Sequence, residues 1–215
     1  MLMQPFSGVR RDDVERLLQY IPFFRQIQQQ DPEQFQVLLS FSKVSVLERG
    51  QLFLHAGSQD QWLYFLLRGE LAVTVDRPDD EKIIVNKIQA GEVFGEIALI
   101  LGQPRSADIR VAEQCRQATV FGLDFNAFGR LNDFSLIKLP IKQAFYRNVV
   151  HTLRWQLEVY RQQHPSHPLA EKHRRIKVLS LPKGGFEELQ ALHNQAVELA
   201  TLLVEWNPSI SNFGT

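Results

Sequence analysis

Apolar positions along the chain change their period twice. In residues 12–26, Val14, Leu17, Leu18, Ile21 and Phe24 recur every three or four places with Pro22 interrupting, which predicts one or two short helices. Asp31-Pro32-Glu33 predicts the next helix start: an N-cap acid, proline at the first helical position and a second acid in the first turn. That helix should run to about Leu39 or Ser40. From Lys43 the period shortens. Val44, Val46 and Leu47 precede Gly50; Leu52, Phe53 and Leu54 precede Gly57; 62–67 precede Gly69; 71–75 precede a polar turn at Pro78-Asp79-Asp80; Ile83, Ile84 and Val85 are closed by Gly91. Short apolar strands separated by glycine predict an antiparallel sandwich or barrel. Residues 108–111 and 118–123 supply its last two strands.

Beyond Asp124 the helical period returns. A short helix is expected over 124–131. A long amphipathic one follows over 138–162, with Phe145, Val149, Leu153, Leu157 and Tyr160 on one stripe and Pro140 near its start. His164-Pro165-Ser166-His167-Pro168 predicts a linker, and His164, His167 and His173 read as exposed linker histidines, not a metal site. Residues 174–181 predict a short strand. Phe186, Leu189, Leu192, Ala196, Leu199, Leu203 and Trp206 form the apolar face of a last helix, and the tail from Asn207 is expected to fray. Glu187 and Glu188 mark the Gly184-Gly185 pair as an ordinary helix start.

Between the last strands and the others lies the stretch with chemistry. Phe94 ends a strand, Gly95 permits a tight turn, Glu96 opens a short helix whose free amides point forward, and Gly102 and Pro104 stop it. Arg105 then returns with a guanidinium suited to phosphate oxygens. A carboxylate and an arginine flanking a short helix can grip a ligand that carries a hydroxyl near a phosphate, the layout of a ribose cyclic phosphate. An unliganded Arg105 is expected to sit half-desolvated, with Glu96 as its nearest partner.

The run FGEIALILGQPRSADIRV resembles the phosphate-binding cassette of the cyclic-nucleotide-binding domains, the family of the catabolite activator protein and the regulatory subunits of cyclic-AMP-dependent kinase. Glycines 50, 57, 69 and 91 stand where that family's jelly-roll turns need them, and Ile21-Pro22-Phe23-Phe24 resembles the start of its helical bundle, so the likeness spans about residues 21–131. It implies an α+β fold: an antiparallel β jelly-roll barrel with N-terminal helices, a long C-terminal lid helix and an extra C-terminal helical segment. The boundaries expected are 1–42 for the N-terminal helices, 43–123 for the barrel, 124–163 for the short helix and the lid or dimerisation helix, and 164–215 for the linker and last helix.

The resemblance also implies roles. Glu96 would accept from the ribose 2′-hydroxyl, with Gly95 close to the sugar. Arg105 would pair with the phosphate, aided by Ser106 and Ala107, and Ile97, Ala98 and Leu99 would line the cassette helix. Val85 and Asn86 would face the base from a strand, and Tyr160 or Arg161 from the lid, with Arg154, Trp155 and Arg147 as alternatives on a shorter lid. Ser106 suits cyclic AMP and admits cyclic GMP; cyclic AMP is the expected ligand, with no metal.

Composition narrows the rest. At 215 residues there is room for one ordinary domain and a modest appendage. Twenty-four basic residues balance twenty-four acidic ones, which argues against charge-driven binding to nucleic acid or anionic membranes. Cys115 is the single cysteine, so no intramolecular disulfide can form. The amino terminus lacks a signal-peptide stretch, and no window nears the roughly 20 apolar residues that cross a bilayer. The expectation is a cytoplasmic protein.

A regulator of the catabolite activator type would end in a helix-turn-helix. After Pro165 the chain offers one convincing helix, and its basic cluster, Lys172-His173-Arg174-Arg175, stands ahead of that helix. No catalytic motif accompanies the acid–arginine pair. The reading is a non-enzymatic cyclic-nucleotide sensor, a homodimer through its lid helix, signalling to an unidentified protein partner. The competing readings are a compact transcription regulator and a degenerate interaction module that binds no nucleotide.

Overall fold

The computed structural model describes residues 9–76, 82–176 and 184–211; of Asp76 and 207–211 only the backbone is described. The expected turn at 78–80 and most of the expected strand at 174–181 lie outside these residues. The chain divides between Ala127 and Phe128 into two compact units.

Among the described residues the first unit opens on three helices, α1 (Arg11–Leu18), α2 (Pro22–Gln30) and α3 (Pro32–Ser40). Asp31 caps α3 as its sequence requires, accepting from Gln34 N at 3.2 Å, worth about 1 kcal/mol. Eight strands follow: β1 (Ser42–Glu48), β2 (Leu52–Leu54), β3 (Trp62–Arg68), β4 (Glu70–Asp76), β5 (Lys82–Gln89), β6 (Val93–Phe94), β7 (Asp108–Val111) and β8 (Gln117–Asp124). They form two four-stranded antiparallel sheets, ordered β1-β8-β3-β6 and β2-β7-β4-β5, with helix α4 (Glu96–Leu101) between β6 and β7. The barrel is therefore a two-sheet jelly roll, not one closed cylinder.

Strand β3 shows why its sequence is almost continuously apolar. Tyr64 and Leu66 point into the core shared by the sheets, with Leu47, Leu71, Ile88, Phe94, Ile109, Val111 and Val120. Phe65, one residue out of phase, faces the other way and meets Phe24 of α2 at 4.8 Å between centroids; Phe24 also meets Phe121 of β8 at 5.3 Å. A strand covered on both faces loses its alternation. Phe24 is fully buried, a contribution of about 1.5–3 kcal/mol that fixes α2 to this sheet.

The second unit is helical. The turn Phe125–Phe128, a 3-10 helix in place of the longer helix expected over 124–131, leads out of β8 and ends at the unit's first residue. Then come α5 (Leu139–Gln163), α6 (Pro168–Arg175) and α7 (Phe186–Ser211), and α5 packs along α7. Four expectations are corrected here. Pro168 begins a helix where a linker was expected, because proline is tolerated at a first helical position and His167 accepts from Leu169 N. His173 is consequently buried on the inner side of α6, and the basic cluster forms the last turn of that helix. Residues 174 and 175 are helical, not extended. The tail does not fray at Asn207: α7 continues to Ser211.

The α5 stripe of Phe145, Val149, Leu153 and Leu157 is buried. Helix α7 lies along α5 and gives that helix a partner inside the chain. Among the described residues no helix is long and apolar enough to cross a membrane.

Candidate functional site

Three pieces of the β unit assemble the Gly-Glu…Arg stretch. Strand β6 ends at Phe94, whose ring stacks on Tyr64 with centroids 5.4 Å apart. Gly95 follows at φ +82°, and a Cβ there would stand 2.6 Å from Nη1 of Arg105 and 3.3 Å from Cδ2 of Tyr64. Backbone conformation and close approach both demand glycine. Helix α4 starts at Glu96 and ends at Leu101, capped by Gly102, which is also left-handed. The return strand is then clamped: Arg105 N donates to Ser58 O at 2.9 Å and Gly57 N donates to Arg105 O at 2.8 Å.

Arg105 is 5% exposed. Its Nε donates to Oδ2 of Asp60 at 3.2 Å, and Nη2 donates both to Oδ1 of Asp60 and to the Trp62 carbonyl, the latter at 2.7 Å. Nη1 donates to the Gly95 carbonyl. The Tyr64 ring lies against the guanidinium, 5.5 Å from carbon to centroid, and its hydroxyl donates to Oδ1 of Asp60 at 3.4 Å. The expected half-desolvated arginine facing Glu96 is thus corrected on both counts. A guanidinium removed from water needs a carboxylate and filled N–H groups, and Asp60 supplies that carboxylate.

Asp60 and Tyr64 are the residues that the sequence did not disclose. Asp60 also accepts from Trp62 N at 2.9 Å, an ordinary turn contact at a strand entry, so its local role hides its long-range one. Tyr64 reads as one more apolar strand position.

Glu96 is 3% exposed. Burial pushes its carboxyl up to about 7, against the lowering influence of its own backbone amide and of Arg105. The carboxylate past the cassette behaves in the opposite way. Burial alone would raise Asp108, but Lys82, the Ala56 amide at 2.8 Å and His55 Nδ1 at 2.8 Å bring it down to about 2. It ties β5 and the segment after β2 to the strand that leaves the cassette.

Of the other predicted residues, Ile97, Ala98, Leu99 and Ala107 are half-buried, and Ser106 is exposed. Val85 sits, half-buried, at the irregularity of the β4–β5 pair, and exposed Asn86 accepts from Lys87 N at 2.8 Å. Tyr160 and Arg161 have their contacts in the helical unit. Tyr160 lies 5.9 Å from Trp206 between centroids, and Arg161 forks onto Glu158. Arg147 pairs with Glu188, Arg154 donates to the Ile176 carbonyl, and Trp155 is 65% exposed. Among the described residues no group of three or more His, Cys, Asp or Glu could hold a metal ion.

Residues 44–131 match the family model of the cyclic nucleotide-binding domain. The chain is 33% identical over 92 residues to the cAMP-activated global transcriptional regulator CRP of Pasteurella multocida, covering 42% of this chain and 44% of that protein. It is 27% identical over 123 residues to the cAMP-dependent protein kinase type II regulatory subunit of Drosophila melanogaster, covering 57% of this chain and 31% of that one. The chain thus spans less than half the length of these curated relatives. Among solved structures, the N-terminal domain of a transcriptional regulator from Streptomyces coelicolor A3(2) aligns with a TM-score of 0.49 at 22% identity, over 67% of this chain and 94% of that one.

Proposed function

With a cyclic nucleotide-binding domain over residues 44–131 as the premise, we propose that this protein is a cyclic-nucleotide sensor whose ligand is cyclic AMP. The observation that carries the reading is the buried pair Glu96 and Arg105 at the two ends of the α4 segment. Burying a carboxyl and a guanidinium is costly, and a well-packed apolar pair would stabilise the fold at least as well, so their retention points to a ligand. In this reading Arg105 meets the cyclic phosphate, Glu96 the ribose hydroxyl, and Ser106 and Ala107 the remaining phosphate oxygen. Val85 and Asn86 face the base, and Tyr160 or Arg161 approaches it when α5 closes. Cyclic AMP is preferred because two of the similar proteins, the CRP of Pasteurella multocida and the kinase regulatory subunit of Drosophila melanogaster, are named for it, and cyclic GMP is the competitor to test.

Occupancy would be passed through α5 and α7 to a protein partner in the cytoplasm, as a shift between populations biased by the ligand's differential affinity. Binding, and no catalysis, is the proposed activity. DNA is not the proposed partner: the exposed stripe of α7, Glu187, Gln190, Asn194, Glu198, Thr201 and Glu205, is acidic and neutral. A homodimer through α5 would use its exposed side around Trp155, since Phe145, Val149, Leu153 and Leu157 of the stripe are buried.

Isothermal titration with cyclic AMP and cyclic GMP tests the reading. Wild type should bind cyclic AMP more tightly than cyclic GMP. Arg105→Ala should lose about 2–5 kcal/mol of binding, roughly 30- to several-thousand-fold. No heat with either nucleotide at millimolar concentration would overturn it.

A further inference from the structure

The guanidinium of Arg105 has no free edge for an anion. An arginine carries five N–H donors, and a bidentate grip on a phosphate takes two parallel ones. Here Nε and one Nη2 hydrogen are on the Asp60 carboxylate, the other Nη2 hydrogen is on the Trp62 carbonyl, and one Nη1 hydrogen is on the Gly95 carbonyl. A single Nη1 hydrogen is left. Engaging a phosphate through two N–H groups therefore requires Arg105 to give up a partner it already has.

The partners are not equally replaceable. The Gly95 and Trp62 carbonyls belong to the backbone of the cassette and of β3, and moving them means moving those elements. Asp60 is a side chain on the irregular segment between β2 and β3, and it is 25% exposed, against 4% for the Arg105 side chain. It is also the one partner that carries the same charge as a phosphate. Beyond Arg105 it is held by the Trp62 amide at 2.9 Å and by the Tyr64 hydroxyl at 3.4 Å.

We infer that Asp60 is a built-in competitor of the ligand: its carboxylate occupies Arg105 in the free protein, and an incoming cyclic phosphate must displace it. This rests on the proposed cyclic-nucleotide reading of the site and adds its regulation. Binding becomes an exchange of one anion for another, so affinity reflects only the difference between them. Removing the Asp60 charge leaves a buried guanidinium uncompensated, a state that an anionic ligand relieves.

The test is cyclic AMP titration, followed by calorimetry, of wild type, Asp60→Asn and Tyr64→Phe, each checked for folding by its thermal transition. Asparagine keeps the size and one carbonyl acceptor. It should bind at least ten-fold more tightly than wild type, from a less stable free protein. Tyr64→Phe keeps the ring against Arg105 but frees Asp60 from one anchor, and should shift affinity in the same direction by a smaller factor; it decides the matter should Asp60→Asn fail to fold. Equal or weaker binding by these variants overturns the inference and leaves the sensor reading standing, with Asp60 as a residue that positions Arg105. Silence from all three proteins at millimolar cyclic AMP overturns both.

Discussion

Burial treats the two charged residues of the cassette differently. Arg105 is accompanied out of water by the Asp60 carboxylate and two backbone carbonyls. For Glu96 burial outweighs its own backbone amide and the charge of Arg105, and lifts the carboxyl from 4.5 to about 7. The consequence for stability has a definite sign. The folded protein holds this proton more tightly than the unfolded chain does, so between about pH 4.5 and about pH 7 stability falls as pH rises, by on the order of 3 kcal/mol across the window. Below the unfolded value the contribution is fully present. Urea unfolding of wild type and Glu96→Gln at pH 5 and pH 8 measures this: glutamine should remove the alkaline loss, and parallel pH dependences would refute it. Glu96 and Arg105 could be read from the sequence because their spacing is local. Asp60 is 45 residues from Arg105, and no local pattern joins them.

Among the elements, the start of α7 shows how a feature read as local becomes structural. Glu188 belongs to an acidic first turn, as expected from its favourable place at a helix start. In the folded unit it is buried, accepts from Gly184 N at 2.6 Å, and is forked by Arg147 of α5 at 3.0 and 2.7 Å. Gln143, also on α5, donates to the Gly185 carbonyl at 2.8 Å beside it. Glu188 therefore joins a helix start to a neighbouring helix. Glu188→Ala should destabilise the helical unit by about 1–3 kcal/mol, the lower part of the range for a buried pair because Arg147 is 41% exposed. Chemical denaturation followed by far-ultraviolet circular dichroism reads this, and a loss under about 0.5 kcal/mol would show the contact to be incidental. Helix α6 escaped sequence reading for a related reason. Pro165 before it and Pro168 at its start look like breakers, and its sparse buried set of Ala170 and His173, with Ile176 at the C-cap, has meaning only once α5 and α7 are beside it.

At the scale of the whole molecule, the chain has two compact units, a two-sheet β unit with helices α1 to α4 and a helical unit. A ligand that binds the folded β unit alone stabilises it by mass action, about 2.7 kcal/mol at one hundred times its dissociation constant. Cyclic AMP at that excess should raise the melting temperature of wild type and shift that of Arg105→Ala by no more than about a third as much. In hydrogen exchange it should slow the amides of α4 and β7, and, if occupancy is relayed, alter those of α5 and α7. Protection confined to the β unit would separate sensing from relay.

What the sequence determined by itself was everything carried by neighbours along the chain. The period of its apolar residues set the strands and most helices, its glycines set the turns, and Gly95, Glu96 and Arg105 stood at spacings with a chemical meaning. Tertiary structure alone decided which groups share a burial. It gave Arg105 to Asp60 instead of Glu96, raised the Glu96 carboxyl toward neutrality, and laid α7 along α5. The physical reason is common to all three. Desolvation and charge pairing depend on distance in space, and a one-dimensional pattern records distance only along the chain.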